Sequence, residues 1–226
     1  MTNYRLPITK IMRLPLPQFS SGARHPNHFA EVIETATSEF LAQCLEPETL
    51  SFPAMPPFGS WVRSLDEESD NVIYAVVYHA TTSPIDSVHR ARALGMSLAE
   101  LREEQPQIFA MLKTEFRAAI VGYKTPGKKQ QSFFQHIPPR PPQIHQAVHF
   151  CEPEEIIVFS EELDFLRMLL QVPQAPVDAL CAAAIRSIYQ LRNGDRTWLV
   201  KAGRYLSTLL RDDYDRLRVI LSQIHL

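Results

Sequence analysis

A chain of 226 residues with 45% hydrophobic side chains can fill a real core as one large domain or two small ones. Its 23 basic and 25 acidic residues nearly cancel, so no broad positive field is available to hold a nucleic-acid backbone, and direct nucleic-acid binding is not expected. No apolar stretch reaches the roughly 20 residues of a membrane helix, so no membrane insertion is expected either.

The first residues, MTNYRLPITKIMRLPLPQF, are too broken by proline and charge for a secretory signal. Cys44, Cys151 and Cys181 are odd in number and far apart, which argues against a disulfide framework or zinc ribbon and for a reducing cytoplasm. Proline outnumbers glycine 18 to 7 and sits at most segment boundaries, so the chain is cut into short pieces with stiff connections. His25 and His28 fall in a predicted loop and read as solvated.

From there to about residue 150 the text reads as strands. HFAEVIETA alternates imperfectly, and SEFLAQCLE places Phe40, Ala42 and Cys44 on one face. GSWVRSL follows, then NVIYAVVYHATT, which is apolar on both faces and must therefore be covered on both. EFRAAIVGY and IHQAVHF complete six short strands, the pattern of a small barrel or sandwich. A helical insertion interrupts them over about residues 85–113. Ser97 and Glu100 form a capping box there, and Pro106 ends one helix or starts another. The insertion also carries His89, Arg90 and Arg92, a small basic cluster that reads as a solvated turn and, alternatively, as a contact for a partner.

GYKTPGKK, residues 122–129, fits seven positions of the phosphate-loop signature and places Lys129 where a hydroxyl should hold magnesium. Pro126 removes an amide from the loop, and the following QQSFFQHIPPRPP cannot sustain the helix whose N-terminus would face phosphate. A basic hairpin turn fits better, which leaves Lys124, Lys128 and Lys129 as weak cofactor-binding candidates and no cofactor as the expectation. In PPRPP, the residues Pro139, Arg140 and Pro141 could face an aromatic groove on a partner, although a stiff connector laying down the next strand suits the segment better. His145, His149 and Cys151 share a face if IHQAVHFC is a strand, but they are spread too widely to hold one ion. No nucleophile elbow, zincin motif or kinase set is present, so neither a catalytic residue nor a metal ligand is assigned.

After residue 151 the period becomes helical. Pro153 suits a first helical position, and Ile156, Phe159, Leu163, Leu166 and Leu170 share one broad face, with Ser160 as an alternative cap for a second helix. Glu154, Glu155, Glu161 and Glu162 read as helix-start carboxylates. The stripe from Val177 to Tyr189 stops at Asn193–Gly194; another contains Trp198, Ala202 and Leu206, and a last one Leu217, Leu221 and Ile224. The expected fold class is α+β: residues 1–151 a barrel-like β domain with a helical insertion, residues 152–226 a helical bundle whose stripes must cover one another or the barrel.

FAEVIETATSEFLAQCLEP, PPFGSWVRSL, NVIYAVVYHATT, EFRAAIVGY and IPPRPPQIHQAVHF together resemble a HAS barrel, the small six-stranded barrel at the N-terminus of HerA-type DNA translocases and of rotary ATP-synthase catalytic subunits. The resemblance covers about residues 28–150. The whole chain is also similar to bacterial proteins of about this size, cyanobacterial ones in particular. In the family's ATPases a phosphate loop lies downstream in a separate α/β domain; here a short helical region follows instead, with no Gly-rich loop. The resemblance therefore implies the assembly module without the motor: a non-catalytic protein whose partner is another protein or further copies of itself. A nucleotide-responsive protein using residues 122–129 and an adaptor to a HerA-type DNA-processing ATPase remain the alternatives.

Overall fold

The computed structural model describes residues 28–46, 54–85, 92–127 and 133–224. All six expected strands form, as β1 (His28–Thr35), β2 (Glu39–Cys44), β3 (Trp61–Asp66), β4 (Asn71–Pro84), β5 (Leu112–Lys124) and β7 (Ala147–Phe150); a two-residue strand, β6 (Phe133–Phe134), joins them. The sheet runs β2-β1-β7-β3-β4-β5-β6, and β2 also pairs with β5. That last pairing closes a six-stranded antiparallel barrel, with β6 attached outside the ring.

A six-stranded barrel is narrow, and its interior is filled in large–small pairs. Across β2 and β5, Phe40 faces Ala118 and Ala42 faces Phe116; across β4 and β5, Ile120 faces Ala75. These six side chains join Ala30, Val32, Val62, Ile73, Val77 and Val148 in one buried cluster. Phe29 stacks between Phe150 and Phe116, with ring centroids 3.9 and 5.5 Å away. The imperfect alternation of HFAEVIETA has a physical cause: the β1–β2 register shifts between Val32 and Glu34, where one residue bulges out of the ladder.

β4 is apolar on both faces because both are covered. Ile73, Ala75 and Val77 point inward, while Tyr74, Val76 and Tyr78 belong to a second core shared with the C-terminal helices. Those helices are α3 (Pro153–Phe159), α4 (Phe165–Leu169), α5 (Val177–Leu191), α6 (Arg196–Leu209) and α7 (Tyr214–Gln223). Their buried stripes include Phe159, Leu166, Leu180, Ile185, Ile188, Trp198, Leu206 and Ile220. The insertion forms α1 (Leu98–Glu104) and α2 (Gln107–Ala110), and the capping box of Ser97 with Glu100 is made in both directions.

Several local expectations change. The stripe from Ile156 to Leu170 is two helices, not one, and Ser160 ends α3 rather than capping α4, which has Asp164 at its N-cap. Arg192 explains the break: its Nη2 donates to the Ile157 carbonyl at 2.6 Å, to Ser160 Oγ at 3.1 Å and to Glu161 at 2.9 Å. Trp198 Nε1 donates to the Ser160 carbonyl at 2.8 Å. Tertiary donors thus satisfy the carbonyls that a continued helix would have used. Glu161 accordingly lies past the end of α3, paired with Arg192, instead of opening a helix.

The three cysteines are buried thiols. Burial pushes Cys44 and Cys181 from 9.0 to about 12, and Cys151 well above its ordinary value. The fold thus favours the neutral thiols; this stabilisation is complete below about pH 9 and is lost as pH rises through about 12. Two outcomes are expected: native protein leaves a thiol reagent unconsumed at about pH 8, and the urea midpoint falls steadily over the alkaline window. Rapid reaction of the native protein, or a midpoint flat with pH, would contradict the assignment.

Candidate functional site

The phosphate-loop near miss lies between two strands. Gly122 and Lys124 are in β5, and after the intervening residues the chain returns as β6, with Tyr123 opposite Phe134 and Lys124 opposite Phe133. A side chain at position 122 would place its Cβ 2.2 Å from the Phe134 carbonyl oxygen, so this glycine admits the crossing strand. The Lys124 ammonium sits 5.7 Å from the centre of the Phe133 ring. Lys128 and Lys129 lie outside the described residues, as do His89 and Arg90 of the insertion; Arg92 is exposed ahead of α1.

The proline-rich segment forms a strap from β6 to β7. Pro138 and Pro142 are buried, whereas Pro139 and Arg140 face solvent and Pro141 is half-buried. Arg140 pairs with Glu68 in the β3–β4 turn and lies 3.9 Å from the buried carboxylate of Asp66. Thr35 Oγ1 donates to the Pro142 carbonyl at 2.7 Å, and Gln143 donates to Glu68 at 2.9 Å. Much of the charge of Arg140 is therefore spent on holding the strap against the barrel.

A cavity of about 680 Å³ opens where β2, β5, residues 135–137 and α4 meet. Ala119, Ile120 and Met168 line it together with Glu39, Asp164 and Arg167. Glu39 accepts from the Tyr78 hydroxyl and from Arg117 Nη1 at 3.0 Å; Asp164 accepts from the Tyr205 hydroxyl. Burial, then the hydrogen bond to Glu39, pushes Tyr78 up to about 12, so its phenol stays protonated at neutral pH. An apolar floor with a rim of both charge signs is suited to receiving side chains of another molecule. The Tyr78–Glu39–Arg117 set escapes sequence reasoning because it joins three strands. Only the β2–β5 register, with Leu41 opposite Arg117 and Glu39 opposite Ala119, makes Glu39 and Arg117 diagonal neighbours.

The histidines are rearranged relative to expectation. His28 lies in β1, largely buried, not in a solvated loop, while His25 is outside the described residues. His145 is in a turn at φ 71° ahead of β7, and Cys151 follows that strand, so the proposed shared face does not exist. What β7 does build is a row across the barrel wall: His28 opposite His149, His149 opposite Arg63, Arg63 opposite Tyr74. The two imidazoles are 5.4 Å apart, and Glu155 of α3 lies over the row, 3.2 Å from Arg63 and accepting from Tyr74 at 3.3 Å. Among the described residues no group of three or more His, Cys, Asp or Glu side chains is placed to hold a metal ion. No helix among them is long and apolar enough to cross a membrane.

No curated protein matches the chain. Residues 29–124, which hold β1 to β5, match the family model described as the HAS barrel domain. With the ring closed by β7, the matched segment and the geometry agree: the chain carries a HAS barrel domain.

Proposed function

We propose that this chain is a non-catalytic assembly module whose barrel and helical layer present surfaces to another protein chain. The observation that carries this reading is the sealed interior. Ala30, Val32, Ala42, Val62, Ile73, Ala75, Val77, Phe116, Ala118 and Val148 are all fully buried, which leaves the barrel's outside as the part available to a partner. Part of that outside is taken by the chain's own helices; the rest carries the Glu39 recess, the strap and the insertion. The resemblance to barrels that pack subunit against subunit supports the same reading, as does a near-neutral net charge of −2, which gives little repulsion between copies.

Cross-linking of the full chain in native lysate, followed by mass spectrometry, tests the proposal. The expected outcome is a small set of links from the barrel's outer face to one protein, or to the chain itself. Links scattered without preference, or turnover of a substrate that is lost on replacing one recess residue such as Glu39, would remove it.

A further inference from the structure

β4 and β5 are longer than the barrel needs. β3 pairs with β4 as far as Trp61 opposite Val76, and the preceding loop adds the bonds from Gly59 N–H to the Val77 carbonyl and from Val77 N–H to the Ser60 carbonyl. Beyond Val77 no described strand lies on that side of β4. On the opposite side β5 continues to pair through His79–Arg117, Thr81–Glu115 and Ser83–Lys113 to Pro84–Leu112. β2 leaves β5 at Glu115. A two-stranded ribbon therefore extends past the barrel wall, with two edges that no described strand covers.

The two edges are not alike. The β5 edge carries Lys113, whose ammonium is held 2.7 Å from Glu115, and a lysine on an edge discourages a further strand from adding. The β4 edge reads His79, Ala80, Thr81, Thr82, Ser83, with no lysine, no carboxylate and no proline before Pro84. The β4–β5 register shifts before this stretch, between Tyr74 and Ala75 and between Val77 and His79, and runs without a shift from His79 to Pro84. His79 and Thr81 are exposed, and Thr82 is fixed by a 2.7 Å hydrogen bond to Thr114. At the far end Ile85, 52% exposed, donates its N–H to the Met111 carbonyl at 2.9 Å, and Met111 is itself 43% exposed. An edge without lysine or carboxylate, with two threonines at its centre and exposed apolar side chains at its end, is a template for strand addition.

Resting on the assembly reading above, we propose that the occupant is the same edge of a second copy, paired antiparallel about a twofold axis through Thr81. An antiparallel pairing of a strand with itself is self-complementary in its backbone groups, as a twofold interface requires. Centred on Thr81, it sets Thr81 against Thr81, Ala80 against Thr82 and His79 against Ser83. Every pair is free of carboxylate and ammonium, and Thr–Thr is a favourable cross-strand pair. A foreign strand of opposite charge would have no charge on this edge to recognise.

Sedimentation equilibrium of the full chain, with oxidative cross-linking of single-cysteine additions, tests the pairing. The native thiols are buried, so an introduced surface thiol reports alone. The wild type is expected to dimerise, Thr81→Cys to form an interchain disulfide, and Lys113→Cys, on the guarded edge, to form none. Thr81→Lys brings two ammonium groups together on the axis and should weaken the dimer by about tenfold or more, whereas Thr81→Val keeps the branching and the dimer. A wild type monomeric at every concentration, an oligomer indifferent to Thr81→Lys, or cross-linking at position 113 instead of 81 would overturn the pairing. Each of these leaves open the broader assembly reading, which fails only on its own cross-linking and turnover test. Should Thr81→Lys unfold, the disulfide at Thr81→Cys still decides.

Discussion

Phe159→Ala is expected to lower the free energy of unfolding by about 3–5 kcal/mol, the usual loss for a buried aromatic ring reduced to a methyl group. Phe159 is the joint between barrel and helices. Its ring centroid lies 5.5 Å from Trp61 of β3, 5.2 Å from Tyr74 of β4, 5.8 Å from Phe133 of β6 and 6.2 Å from Phe165 of α4. Removing it leaves a hole bordered by four rigid rings that cannot all close inward, so little of the loss is recovered by relaxation. A urea titration followed by fluorescence measures it, and Trp61, edge-on to Phe159, reports at the site. Val158, next in the chain but 53% exposed, is the internal control, and its replacement by alanine should cost less than about 0.5 kcal/mol. A loss below about 1 kcal/mol at Phe159 would show that the aromatic cluster does not join the two layers.

Gly59→Val should cost about 3 kcal/mol, from two separable causes. Gly59 sits at φ +80°, where a β-branched residue is strained, and its N–H is committed to the Val77 carbonyl at 2.8 Å. A Cβ built on it lies 2.6 Å from the Ala183 Cβ of α5, so the helix would have to move away from the barrel. Ala183→Gly in the same chain should return the steric part and leave the conformational part, and a double-mutant cycle on urea midpoints separates them. Additive effects would mean that α5 does not approach the barrel at this point.

The strands were legible because their patterns are local. Proline and turn residues delimit them, and NVIYAVVYHATT announces two covered faces by being apolar throughout. Ser97, Glu100 and Pro153 likewise mark helix starts through contacts within one turn. What could not be read depends on partners far along the chain. The period through Ile156, Phe159, Leu163 and Leu166 suits a single helix; the break follows from Arg192, Trp198 and Gln135, whose amide donates to the Phe159 carbonyl at 2.6 Å and the Glu162 carbonyl at 3.0 Å. β6, only two residues long, has no period to read, and exists because Gly122 lets a second backbone approach β5. His28 meets His149, and Glu39 meets Arg117, only once strand register is known.

The position of β7 has a consequence for how the protein is made. It is the last strand of the ring in sequence, yet it lies between β1 and β3, two of the earliest. During synthesis from the N-terminus, the first five strands can zip into a curved sheet that stays open, with the facing rims of β1 and β3 unsatisfied until residues 147–150 emerge and insert. A fragment cut after Lys124 would hold the whole recognised family segment and still lack its keystone, so it should stick to itself at that slit rather than behave as a free-standing barrel.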